Sequence, residues 1–185
     1  MLDDPKTPVD INWWRPGGTA WFTVLHQAAW HDAPAEVAEE LVRRGALRSL
    51  TDAKGRTPHD VLVQRHGWRA DGERQIKPPP SPWPRSVVRA TDTHLGEVID
   101  SRLRALLDDP RAVLRYPSVE VLHELPGHNL WFPVPGMRGG FRITLQGNGV
   151  AVRSSSEVSG RSGQTHKITA AGAVLLDKGL QARAR

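Results

Sequence analysis

The feature that most limits what this chain can fold into is an internal offset of 34 residues: Thr23-Val24-Leu25-His26 returns, altered, as Thr57-Pro58-His59-Asp60. A period of this size marks supersecondary units that cannot bury an apolar face alone and stack on their neighbours. Thr23 to Trp30 reads as a short helix carrying Leu25, Ala28 and Ala29. Residues 33–46 read as a second helix, because Val37, Ala38, Leu41 and Val42 fall at i, i+1, i+4 and i+5 and form one stripe. Pro34 suits its first turn, Arg43 and Arg44 its negative end, and Gly45 a left-handed stop. Thr51 to Pro58 is then a turn running into a further helix start.

These residues resemble ankyrin repeats, over roughly residues 19–67. The matching positions are Thr23, Leu25, His26, Ala28 and Ala29, then Gly45, Ala46, Asp52, Gly55, Thr57 and Pro58. Val24 replaces the usual proline of the helix start, one extra residue sits near Ala33, His59 replaces a core leucine, and Asp60 stands where the motif histidine would be. The resemblance implies paired helices, a structural role for His26 against the neighbouring turn, and protein binding through loop tips and the concave face of the first helices. About one and a half repeats are present, fewer than the three that normally close a core. Residues 1–70 are therefore expected to be a short helical region with an N-terminal cap. Either Trp13 and Trp14 cover the first helix pair, or the C-terminal half docks on it.

From Asp71 the chain changes character. Lys77-Pro78-Pro79-Pro80-Ser81-Pro82-Trp83-Pro84 excludes helix and central strand, so residues 71–86 read as a Pro-rich spacer with Trp83 docked on one side. Residues 93–108 read as a helix with Leu95, Ile99, Leu103, Leu106 and Leu107 on one face and Pro110 beyond its end. The period then shortens to two. Val119 to Leu125 is strand-like, and Phe141–Leu145 and Val150–Ser154 alternate around Gly147-Asn148-Gly149, a hairpin signal. His166–Thr169 adds a strand, and Ala173–Lys178 a strand or short helix. Residues 87–180 thus read as a small domain of helix plus antiparallel sheet, with 181–185 a frayed tail; the whole chain is expected to be α+β. Within it, Trp131-Phe132-Pro133-Val134-Pro135-Gly136-Met137-Arg138-Gly139-Gly140-Phe141 is similar to the tail of uncharacterised bacterial ankyrin-repeat proteins, a likeness that bears on architecture alone.

Composition excludes several kinds of function. The 185 residues contain no cysteine, which removes disulfides, thiolate metal sites and cysteine nucleophiles together. Apolar runs are only a few residues long, and the acidic start Met1-Leu2-Asp3-Asp4-Pro5 lacks a secretory pattern, so a cytoplasmic protein without membrane contact is expected. The net charge is +5, and residues 146–185 carry 6 Lys and Arg against 2 Asp and Glu. No aromatic residue follows Phe141, so a nucleic-acid partner is not expected.

Candidate chemistry is sparse. His123 and His128 sit one residue further apart than a zincin pair, with Pro126-Gly127 breaking the helix between them. His59 and His66 lie two helical turns, about 10 Å, apart. No metal or cofactor is expected. Gly136, Arg138, Gly139 and Gly140, with Arg161, Ser162, Gly163 and Gln164, form two Gly-rich loops able to cradle an anion, though neither is a Walker or dinucleotide sequence. His166 with Glu157, flanked by Arg138 and Arg161, is the alternative acid–base set, which would make the chain a small hydrolase or transferase on an anionic substrate. Seven tryptophans are many for this length, and Trp13, Trp14 and Trp30, with His31 and Asp32 at the helix–helix turn, are the expected partner-binding residues. The leading expectation is a non-enzymatic protein-binding module, such as an antitoxin, immunity factor or regulatory partner protein.

Overall fold

The computed structural model describes residues 10–14, 19–68, 72–104, 107–134, 139–156 and 163–178. The chain is α+β: helices precede a five-stranded antiparallel sheet, and two compact units divide at Pro80/Ser81.

In the first unit, α1 (Val24–Trp30) begins where Thr23 closes a capping box with the amide and ring of His26. α3 (Pro58–His66) repeats the device from Thr57, with Asp60 doing the work of the histidine, so the altered motif keeps its capping chemistry. α2 (Ala35–Arg43) follows Pro34 and is stopped by Gly45 at φ +96°. A fourth, four-residue helix, α4 (Glu73–Ile76), falls inside the segment expected to be spacer. Its Ile76 is buried in the core with Leu25, Leu41, Val61 and Leu62, and a Cβ added to Gly72 would lie 3.5 Å from the Ala38 side chain. One buried isoleucine in a four-residue helix offers no periodicity, which hides it in the sequence. α1 packs beside α3 and α2 beside α4, so the second helix pair is closed.

At the N-terminal side Ile11 joins this core, while the Asn12 side chain donates to the Gly45 carbonyl at 2.9 Å and accepts from the Leu47 amide at 2.8 Å. Trp14 is half-buried, with its indole N–H on the Thr51 carbonyl. Trp13 is half-exposed. Among the described residues, Ile11, Asn12 and Trp14 make the contacts expected of the cap.

In the second unit α5 (Arg85–Leu103) starts eight residues before the expected boundary. The Thr91 and Thr93 hydroxyls, which favour a break, instead donate to the carbonyls of Val87 and Arg89 one turn back. Val88 and Thr91 then extend the buried stripe of Leu95, Ile99 and Leu103. The helix also ends earlier than expected, at Leu103, and a short helix, α6 (Pro110–Val113), follows. Residues 119–125 are not a strand. Val119–His123 is a 3-10 turn, held where the Asp92 carboxylate of α5 accepts from the Ser118 hydroxyl and the Val119 amide, each at 2.7 Å. Val119, Val121 and Leu122 are all buried, a pattern that no exposed-face strand produces.

The sheet runs β1 (Asn129–Pro133), β2 (Gly139–Gln146), β3 (Gly149–Ser156), β4 (Gln164–Thr169) and β5 (Gly172–Asp177) in simple succession. Gly147, at φ +57°, turns β2 into β3. Phe132, Phe141, Ile143, Val150, Val152 and Ile168 face the core shared with α5, and Trp83 packs against that core with its ring edge-on to His123. β1 was not expected, since Pro133 and five residues leave little alternation to read; a proline is tolerated there because β1 is an edge strand. No helix among the described residues is long and apolar enough to cross a membrane.

Candidate functional site

His26 is buried and bridges the two helix pairs. Its Nδ1 accepts from the Thr23 amide at 3.3 Å and lies 2.8 Å from the Thr23 hydroxyl, which fixes the proton on Nε2. Nε2 then donates to the Arg56 carbonyl at 3.0 Å. Asp52, buried in the same turn, accepts from the amides of Lys54 and Arg56 and from both Nε and Nη2 of the Arg56 guanidinium. Burial raises the Asp52 carboxyl, but the Arg56 and amide hydrogen bonds outweigh it and hold its pKa below the ordinary value. These residues set the stacking geometry of the unit.

The five expected partner-binding residues divide between two ends of that stack. Trp13 and Trp14 lie with the stop of α2 and the Thr51 carbonyl, Trp14 standing edge-on to Trp21 at 6.2 Å. Trp30, His31 and Asp32 lie where α1 ends and the chain reverses into α2. Trp30 is not the free tip ring that its position in the turn suggested. It packs at 5.7 Å on Phe22 and carries the Arg65 guanidinium 3.9 Å over its face, because it is the last residue of α1 and points at the neighbouring helix. His31 and Asp32 are exposed, Asp32 with a left-handed backbone at φ +49°.

The same end gathers residues that sequence reasoning missed. The His66 Nε2 donates to the Trp30 carbonyl at 3.0 Å, tying the last residue of α3 to the last residue of α1. Arg65 and His66 are exposed beside His31 and Asp32. Just beyond, Trp68 is 70% exposed and touches the buried His59 edge-on at 5.7 Å, while His59 reaches Glu73 of α4 at 2.7 Å. The signal available was Gly67-Trp68, a helix-stopping glycine followed by an aromatic residue with no apolar stripe to join.

In the second unit Gly136, Arg138, Glu157, Arg161 and Ser162 lie outside the described residues. The other loop candidates belong to strands. Gly139 and Gly140 open β2, paired with Ser156 and Ser155 of β3. A Cβ on Gly140 would run into the Phe132 carbonyl, so strand packing accounts for that glycine. Gly163 precedes β4, and the Gln164 amide donates to the buried Ser154 hydroxyl at 3.2 Å. His166 is half-buried on the core side of β4, opposite Val152 and Leu175; burial, and then the Arg102 charge, lower its pKa. The imidazole is therefore neutral at neutral pH. His123 and His128 have ring centroids 6.5 Å apart, and no group of three His, Cys, Asp or Glu among the described residues could hold a metal ion. β5, at the sheet edge, leaves Val174, Leu175 and Leu176 exposed. No protein-family model, curated protein or solved structure matches this chain.

Proposed function

We propose that this chain is a non-enzymatic protein-binding module, of the kind that serves as an antitoxin, immunity factor or regulatory partner, and that it meets its partner at the end of the helix stack where α1 and α3 terminate together. The observation that carries the reading is Trp68, a ring left 70% exposed two residues after α3 ends on the exposed Arg65 and His66. A large rigid ring amid adaptable polar groups is the usual make-up of an interface anchor and its surround. The His66–Trp30 bond and the Arg65–Trp30 stack make the surface rigid, so little freedom is lost on binding. The stacked helix pairs and the bridging His26 support the ankyrin-like reading of this unit, in which loop tips recognise other proteins.

The test places a photo-crosslinking residue at position 31, at position 68, or at the exposed control position Glu39 on α2. Illumination in a lysate of the source cells should give the same discrete protein adduct from positions 31 and 68 and none from 39. Diffuse adducts from all three positions would remove the reading.

A further inference from the structure

The outward face of the sheet carries a charge arrangement that folding does not explain. The five strands contain three Lys and Arg, namely Arg142, Arg153 and Lys167, against one carboxylate, Asp177. Ile143, Val152 and Ile168 point into the core, so strand alternation sends all three adjacent cations to the opposite face, where each is exposed. Register aligns them: Trp131 pairs with Arg142, Arg142 with Arg153, Arg153 with Thr165, and Thr165 with Asp177, one row across five strands with the single carboxylate at its far end, two strands from Arg153. Strands are about 4.8 Å apart, so Trp131 and Arg153 lie about 10 Å apart along that row. Lys167 is one diagonal step, about 7–8 Å, from Arg153.

Two arginines directly opposite one another in a ladder repel. Among the described residues none of the three cations forms an ion pair. Trp131, 42% exposed, rests on Gly140, where an added Cβ would meet its Cζ2 at 3.0 Å, and the Arg142 guanidinium lies 5.8 Å from the ring centroid. The net charge of the chain also falls in this half of the sequence. Residues 81–185 hold 14 Lys and Arg against 9 Asp and Glu, a net +5, while residues 1–80 hold 11 of each.

We infer that this face binds single-stranded nucleic acid, with Trp131 stacking on a base and Arg142, Arg153 and Lys167 neutralising neighbouring phosphates. Cationic sheet surfaces with an exposed aromatic ring hold single strands because every base offers a π-face and every nucleotide a charge. An acidic protein segment would satisfy the cations yet leave the ring unused, and a duplex offers no unstacked base. The linear sequence hides the arrangement, since the one aromatic member lies on β1, N-terminal to all three cations. Register, not proximity along the chain, brings them together.

Fluorescence polarisation with the full chain and a labelled oligo(dT) or oligo(U) of about 12 nucleotides tests this, with salt varied from about 50 to 200 mM. The wild type should bind, and Arg142→Thr and Arg153→Thr should each reduce the slope of log K against log salt by about 0.7. Trp131→Ala should weaken binding about tenfold, and Trp131→Phe should recover most of the loss. Arg153→Thr should also raise the melting temperature, since it relieves the cross-strand repulsion; lower affinity with higher stability separates a binding role from a structural one. Absence of binding at low salt, unchanged salt slopes in the arginine variants, or tighter binding to a duplex or to phosphatidylserine vesicles than to the single strand would overturn the inference.

Discussion

Replacing Asp92 with asparagine should make the second unit more stable at neutral pH and leave it nearly unchanged at pH 4. Burial pushes the Asp92 carboxyl up to about 6 from 3.8, against the hydrogen bonds from the Val119 amide and Ser118 hydroxyl and with a small upward push from Glu120. Because the folded pKa is the higher one, the native state holds the proton more tightly than the unfolded chain between these two values. Stability from this group is therefore full below about pH 4 and is lost as pH rises through 6. At about 1.4 kcal/mol per pH unit, the loss amounts to about 3 kcal/mol by pH 7. Asparagine keeps an acceptor for the Val119 amide and can donate to Ser118, but never ionises. The assay is native-state hydrogen exchange at the buried Val150 and Ile168 amides, comparing variant and wild type at matched pH, so that intrinsic exchange cancels. The stability difference should grow from near zero at pH 4 to about 3 kcal/mol at pH 7. A flat difference, or a variant weaker at pH 7, would mean that the charged carboxylate stabilises the 3-10 turn and that the burial argument is wrong.

Trp30→Ala should destabilise the first unit by about 2–3 kcal/mol, read as a fall in denaturation midpoint, because the ring packs on Phe22 beneath Arg65 rather than standing free. Asp52→Asn should cost about 2 kcal/mol at pH 7 by urea denaturation and progressively less as pH falls through the range where Asp52 protonates, since its folded pKa is depressed. Gly140→Ala should cost about 1–3 kcal/mol in thermal unfolding, as β1 must move away from the added methyl; an unchanged midpoint would show that the β1–β2 pairing is slack.

The helices of the first unit were legible because their signals are local. Thr23 and Thr57 announce starts, Gly45 announces a stop, and the stripe from Val37 to Val42 gives α2 its face. Gly147-Asn148 announced the hairpin in the same way. What escaped notice depends on distant partners. Val119–Leu125 alternates like a strand, yet Asp92, 27 residues upstream, captures its first amide and turns it into a 3-10 turn. Trp30 reads as a loop tip until Arg65 and Phe22 arrive from elsewhere in the stack. Of the expected recognition residues, Trp13, His31 and Asp32 are exposed, whereas Trp14 and Trp30 are half-buried; Trp68 carried no motif and emerged only from its exposure.

The most direct test of partner binding at the α1–α3 end is the affinity of purified full-length Trp68→Ala and Asp32→Ala for the protein captured at positions 31 and 68, measured alongside their melting temperatures. Trp68→Ala should lose about 2 kcal/mol of binding, roughly thirtyfold in Kd, with little change in melting temperature, because an exposed ring leaves no core cavity. Wild-type affinity in Trp68→Ala, or a loss that tracks a lowered melting temperature, would contradict the account.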